Sequence, residues 1–170
     1  MDDTLTLPTL NLPPHQLKLR RQPDGTVQVY DPLRLKWLVL TPEEHVRQRF
    51  TAFLTASLGY PAGMMANEVS LRLNGTLRRC DTVLFDRQRK PLAIIEYKAP
   101  DIPISQAVFE QIVRYNMVLH TSYLMVSNGL RHYCCHVEYT PPKVTFLREI
   151  PHYTALTARL QDRATTQDRD

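Results

Sequence analysis

Residues 78–98 read RRCDTVLFDRQRKPLAIIEYK. Both ends of this stretch are rich in β-forming side chains, and the polar RQRK at 87–90 between them is a turn signal. A hairpin centred between Gln88 and Arg89 sets Asp81 opposite Glu96. Opposed residues in such a pair have Cβ atoms roughly 4.5–5.5 Å apart on one face of the sheet. Glu96 and Lys98 share that face, because strand side chains alternate with period two. Two carboxylates and one ammonium are therefore expected to converge. Acids at that range repel, and one would keep its proton unless a cation stood between them. A hard divalent ion, Mg2+ or Mn2+, is the natural cation for such a pair. Metal, carboxylates and lysine together suit phosphodiester hydrolysis. The alternative is an exposed hairpin carrying a solvated acid–base ladder. Against it, Ala93-Ile94-Ile95 argue for an interior strand, where unpaired charge is costly.

Working outward, Thr41-Pro42-Glu43-Glu44 has the pattern of a helix start: a capping hydroxyl, proline at the first helical position and acids in the first turn. That helix is predicted to run to about Leu58, with Gly59 ending it. Strands are predicted at 66–73 and 78–86, joined through Asn74-Gly75, and at 91–98. A second helix over 104–119 precedes strands at 122–127, 131–139 and 143–150. Upstream, strands at 17–22 and 26–30 flank Asp24-Gly25, and a third covers 36–40. Residues 1–15 read as an extended or packed arm, 16–153 as one domain, and 154–170 as a polar tail.

Composition sets the bounds. A chain of 170 residues with 43% hydrophobic and 22% charged content fits one domain with a single sizeable core. The net charge of +4 permits nucleic-acid binding without demanding it. Cys80, Cys134 and Cys135 have neither zinc nor disulfide spacing, and an odd count suits a reducing cytoplasm. His132, Cys134 and His136 share a strand face, but they offer no fourth ligand and read as sheet packing. No signal peptide is visible at the N-terminus, and no apolar run approaches the roughly 20 residues of a membrane span.

The predicted order is α/β with a mixed sheet: an α-β-β-β-α-β core, an N-terminal β extension and a C-terminal β hairpin. With its acids on the second and third core strands, it resembles the PD-(D/E)XK nuclease superfamily. Cys80 stands where that motif places proline, and Glu96-Tyr97-Lys98 fits its ExK form. Gln111 and Tyr115 form a QxxxY pair similar to that of the RecB-like branch, four residues apart and so on one helix face. More narrowly, LTPEEHVRQRF, GYP, LNGTLRRCDTVLFD, IIEYKAP, FEQIVRYNMVL and VSNGLRHYCC resemble the N-terminal domain of type I restriction enzyme R subunits, in its short stand-alone version.

The resemblance covers residues 15–153. It implies a restriction-endonuclease-like, Mg2+- or Mn2+-dependent deoxyribonuclease, expected to act as an endonuclease, with exonucleolytic action left open. Asp81, Glu96 and the Tyr97 backbone carbonyl would be metal ligands and Lys98 the catalytic lysine. Gln111 and Tyr115 would orient the site or the DNA strand. Glu43 would be an additional carboxylate, with Glu44 as its rival. The implied partners are DNA and other restriction or motor subunits. Oligomeric state, strandedness and sequence specificity stay open, as does RNA as a substrate. No GxxxxGK[ST] phosphate loop occurs, so ATP-driven translocation does not reside in these residues.

Overall fold

Thr41 begins the first helix as its chemistry dictates. Its Oγ1 accepts a hydrogen bond from the Glu44 amide at 3.0 Å, and Pro42 opens α1 (Pro42–Ala52). A computed structural model describes residues 7–159 of the chain. The expected helix to Leu58 is divided: α1 stops at Ala52, and a π-helical turn, Phe53–Ser57, completes it before Gly59 at φ 74°. Thr55 explains the change, since its hydroxyl donates back to the carbonyls of Thr51 and Ala52 at 3.0 and 3.3 Å and competes with the helical ladder.

Before α1, β1 (Leu19–Arg21), β2 (Val27–Asp31) and β3 (Lys36–Val39) form their own antiparallel sheet. After it, β4 (Met65–Leu73), β5 (Thr76–Phe85) and β6 (Pro91–Tyr97) make an antiparallel meander. Helix α2 (Gln106–Leu119) then crosses over to β7 (Tyr123–Ser127), which pairs parallel with β6. β8 (His132–Tyr139) and β9 (Pro142–Phe146) close the sheet as a hairpin, giving the order β4-β5-β6-β7-β8-β9. The expected α-β-β-β-α-β core, β extension and C-terminal hairpin are all present.

The sheet is covered on both faces. Val46 and Phe50 of α1 and Leu54 of the π-helical turn pack on Ala93, Ile95, Tyr97 and Met125, whereas Val108 and Ile112 of α2 pack on Val83, Ile94, Leu124 and Val126. A strand buried on both faces reads as a continuous apolar run, which is why β6 shows no alternation.

Two boundaries need correction. β9 ends at Phe146 rather than at 150. The tail does not begin at 154: residues 153–159 are helical, and Leu156 is fully buried, its carbonyl accepting from the Tyr123 hydroxyl at 3.3 Å. The polar stretch from 160 onward lies outside the described residues, as do residues 1–6. Within the arm, Leu10 is buried, and the Asn11 amide donates to the Gly129 carbonyl at 2.8 Å.

Strand alternation also fails in an informative place. Asn67 pairs with Thr82 and Val69 with Cys80, and between them Glu68 takes φ 56°, a left-handed backbone unusual for a side chain of its size. On one side of this step Met65 and Leu84 join the α1 core. On the other, Leu71 and Cys80 join the α2 core. The β4–β5 ribbon exchanges faces at Glu68 and Asp81.

Candidate active site

Asp81 sits at that exchange point. The β5–β6 register, Thr82 with Ile95 and Val83 with Ile94, is the one expected from a turn between Gln88 and Arg89. Asp86 fixes that turn, its Oδ1 accepting the amides of Gln88 and Lys90 at 2.8 Å each. Nearer the turn Phe85 pairs with Pro91 across a bulge, and one step beyond Thr82 the ladder gives way, so the expected Asp81–Glu96 pair is not formed. The Asp81 carboxylate turns inward, and its Oδ2 accepts the Tyr97 amide at 2.9 Å.

Its other oxygen, Oδ1, receives Arg47 Nη2 at 3.1 Å. Arg47 is buried and ion-paired to Glu44, which also accepts from Arg34 at 3.0 Å and Gln48 at 2.8 Å. Arg34 pairs in turn with the buried Asp31 and with Glu68 at 3.1 Å. A chain of alternating charge thus runs from the first sheet to Asp81. Buried charges persist in this form because each has a partner. Glu44 is absorbed by the chain. Glu43 is not: its side chain is 45% exposed, lies 3.7 Å from Arg47, and feels the charges of Asp81 and Lys98. Burial, with the repulsion of Asp81, raises its pKa. Of the two rivals, Glu43 stands on the rim of the site.

Glu96 belongs to the α2 side. Its Oε1 accepts Gln111 Nε2 at 2.6 Å and Lys98 Nζ at 3.4 Å, while Lys98 Nζ also reaches Gln111 Oε1 at 3.4 Å. Gln111 touches the Tyr115 hydroxyl at 3.2 Å, so the i,i+4 pair of α2 does face the strand motif. Tyr115 meets the acids only through Gln111. Burial, the Asp81 charge and, more weakly, Glu43 push the Glu96 pKa up to about 8, although the Lys98 ammonium opposes them. Its Oε2 is buried without a hydrogen-bond partner.

That orphaned oxygen is what a bound cation would satisfy. With Asp81 and the Tyr97 carbonyl it would make an all-oxygen donor set of the kind hard divalent ions take. Among the described residues, no three His, Cys, Asp or Glu side chains are gathered tightly enough to hold an ion as they stand. This applies to His132, Cys134 and His136 as well; His132 bonds Ser127 Oγ and the Asn11 carbonyl, each at 2.8 Å. Around Asp81, the guanidinium of Arg47 meets Oδ1, and Glu43 would have to rotate inward to contribute.

Sequence reading did not single out Arg47. Its signal was a cation one position from the apolar Val46 and three from Phe50, on a helix otherwise buried there. The Tyr97 side chain, read only for its backbone, is fully buried toward α1. Its hydroxyl lies 3.1 Å from Thr82 Oγ1 and 3.4 Å from Thr51 Oγ1.

A mixed sheet covered by helices on both faces, with two acids and a lysine brought together from adjacent strands, is the architecture of a restriction-endonuclease-like domain. Residues 42–151 match the family model described as type I restriction enzyme R protein N terminus (HSDR_N). The chain belongs to that family. Among solved structures it is similar to a fragment described as the HsdR subunit of a type I restriction enzyme from Vibrio vulnificus, with a TM-score of 0.53 and 21% identity over 71% of this chain. The chain spans 25% of the length of that relative. No curated protein matches it at a significant level. No helix among the described residues is long and apolar enough to cross a membrane.

Proposed function

We propose that this domain hydrolyses DNA phosphodiester bonds with Mg2+ or Mn2+, as the nuclease part of a restriction assembly with other subunits. The observation that carries the reading is the Glu96 carboxylate, buried beside Asp81 and Lys98 with Oε2 unpartnered. Asp81, Glu96 and the Tyr97 carbonyl would hold the metal, and Glu43 would join from the rim. When bound, such an ion stabilises charge on the phosphoryl oxygens and acidifies water. Lys98, tethered to Glu96 and Gln111, positions the attacking water and neutralises charge developing on the phosphate. Gln111 fixes Glu96 Oε1 and so aims Oε2 toward the site. Arg47 holds Asp81 in register with β6 and must yield part of Oδ1 to the metal.

Cleavage of DNA with and without Mg2+ tests this. Asp81→Ala and Lys98→Ala are expected to lower the rate about a hundredfold or more while circular dichroism stays unchanged. Undiminished cleavage by both variants discards the reading.

The Arg47–Asp81 pair favours a second reading, a catalytically silent nucleic-acid-binding or assembly module in which the guanidinium replaces the metal. Mn2+ affinity decides between them. Binding that collapses in Asp81→Ala supports the enzyme, and DNA binding indifferent to metal supports the silent module.

A further inference from the structure

The first sheet carries a face that the acidic site does not use. Leu19, Val29 and Leu38 are in register, with Val29 fully buried. The opposite face therefore presents Arg20, Gln28 and Val39 in one row, with the registered pair Tyr30 and Trp37 beside them. Lys18 continues that second row, since its carbonyl accepts the Tyr30 amide at 2.9 Å. No carboxylate stands among these six positions.

These side chains are organised. The Tyr30 and Trp37 rings meet edge to face, 5.4 Å between centroids. Arg20 Cζ lies 4.3 Å from the Trp37 ring, and Lys18 Nζ lies 4.9 Å from Tyr30 and 5.6 Å from Trp37. Arg20 Nε donates to Gln28 Oε1 at 2.8 Å, and Gln22 Nε2 donates to the same oxygen at 2.7 Å, so the exposed guanidinium is held at its stem. Three cation–π contacts fall within residues 18–37, against roughly one per 70–80 residues in proteins generally. Chance surface packing does not account for that density.

We propose that the outer face of β1–β3 binds an unpaired nucleic-acid strand, separately from the acidic site. Bases stack on aromatic rings and on guanidinium planes, and cations beside those platforms meet the phosphates. A duplex hides its base faces, so the surface selects single strands. The face also lies on the element whose end, Asp31, joins Arg34, Glu44, Arg47 and Asp81 in the buried chain of charge, so this sheet is linked to the acidic site through ion pairs. The proposal extends the nucleic-acid reading of the domain but does not require cleavage.

Trp37 is the sole tryptophan and reports directly on this face. The intact chain, in EDTA, is titrated with unlabelled oligo(dT) of about 16 nucleotides and with a duplex of equal length. Saturable quenching of Trp37 by oligo(dT), weaker binding of the duplex, and an affinity about tenfold lower in the exposed-site variant Arg20→Ala are expected. Lys98→Ala should bind and quench like the parent, so loss of cleavage and loss of this site are read independently. Unquenched Trp37, equal affinity in a folded Arg20→Ala variant, or duplex binding as tight as single-strand binding would overturn the proposal. Binding of poly-glutamate in place of oligo(dT) would also overturn it, in favour of an acidic protein partner.

Discussion

Arg47 Nη2 lies 3.1 Å from Asp81 Oδ1, while Oδ2 of the same carboxylate takes the Tyr97 amide. One carboxylate therefore ties α1 to β6, and the cation that holds it is itself buried. Removing one member of a buried pair strands the other's charge. Arg47→Ala is expected to lower unfolding free energy by about 3–5 kcal/mol in urea denaturation. Glu44→Gln added to it should restore part of the loss. Additive losses in the double variant would show that the two residues are not energetically coupled.

The Glu96 carboxyl supplies a pH signature. Its folded pKa of about 8 lies above the ordinary carboxylate value of 4.5, so in this window the folded state keeps a proton that the unfolded state has released. Stability should therefore fall as pH rises from 4.5 towards 8 and level off above it. Glu96→Gln removes that slope and should gain stability relative to the parent as pH rises towards 8. Denaturation in EDTA across this range measures it, and a parent profile as flat as the variant's refutes the assignment. By the same sign, Mn2+ binding near neutral pH should release about one proton, detectable by calorimetry in buffers of different ionisation enthalpy.

Gln111 and Tyr115 should separate in their effects. Gln111 contacts both Glu96 and Lys98, whereas Tyr115 reaches the site only through Gln111. Gln111→Ala is expected to slow cleavage at least about tenfold, and Tyr115→Phe only a few-fold. Single-turnover rates at saturating Mg2+ check the order, and a reversed order would mean that Tyr115 meets the substrate itself.

At Gly129 the backbone has φ 82°, and an added Cβ would lie 2.7 Å from Leu10 Cδ2 and 3.1 Å from Val46 Cγ2. Gly129→Ala therefore combines left-handed strain with displacement of the arm. About 2 kcal/mol of destabilisation is expected, together with faster proteolysis before residue 15. An unchanged digestion pattern would argue that the arm's anchorage does not depend on Leu10.

Much of the site was legible because its geometry is local. Turn symmetry about Gln88–Arg89 predicts Thr82 opposite Ile95, a register the strands reach through a bulge between Leu84 and Phe85, and helical spacing alone puts Gln111 and Tyr115 on one face. What escaped was long-range or unsignalled. Arg47 takes its meaning from partners far off in the sequence, Asp81 and the Tyr97 ring, and no spacing rule connects them. Glu68 adopts a left-handed backbone with none of the residue types that announce one, held by Arg34 at 3.1 Å. The helix over 153–159 was hidden by its brevity beside the polar stretch from 160, with Leu156 and Tyr153 as its anchors.

The side-swap at Glu68 also governs where the chain can change length. Because one ribbon serves both helical layers at different heights, adding or deleting a residue at 68 or 81 would send every later side chain of that strand to the wrong layer. The exposed Asn74-Gly75 tip carries no such obligation. Loop extensions belong there, at the far end of the ribbon, where both partners of the hairpin lengthen in step and the acids stay in place.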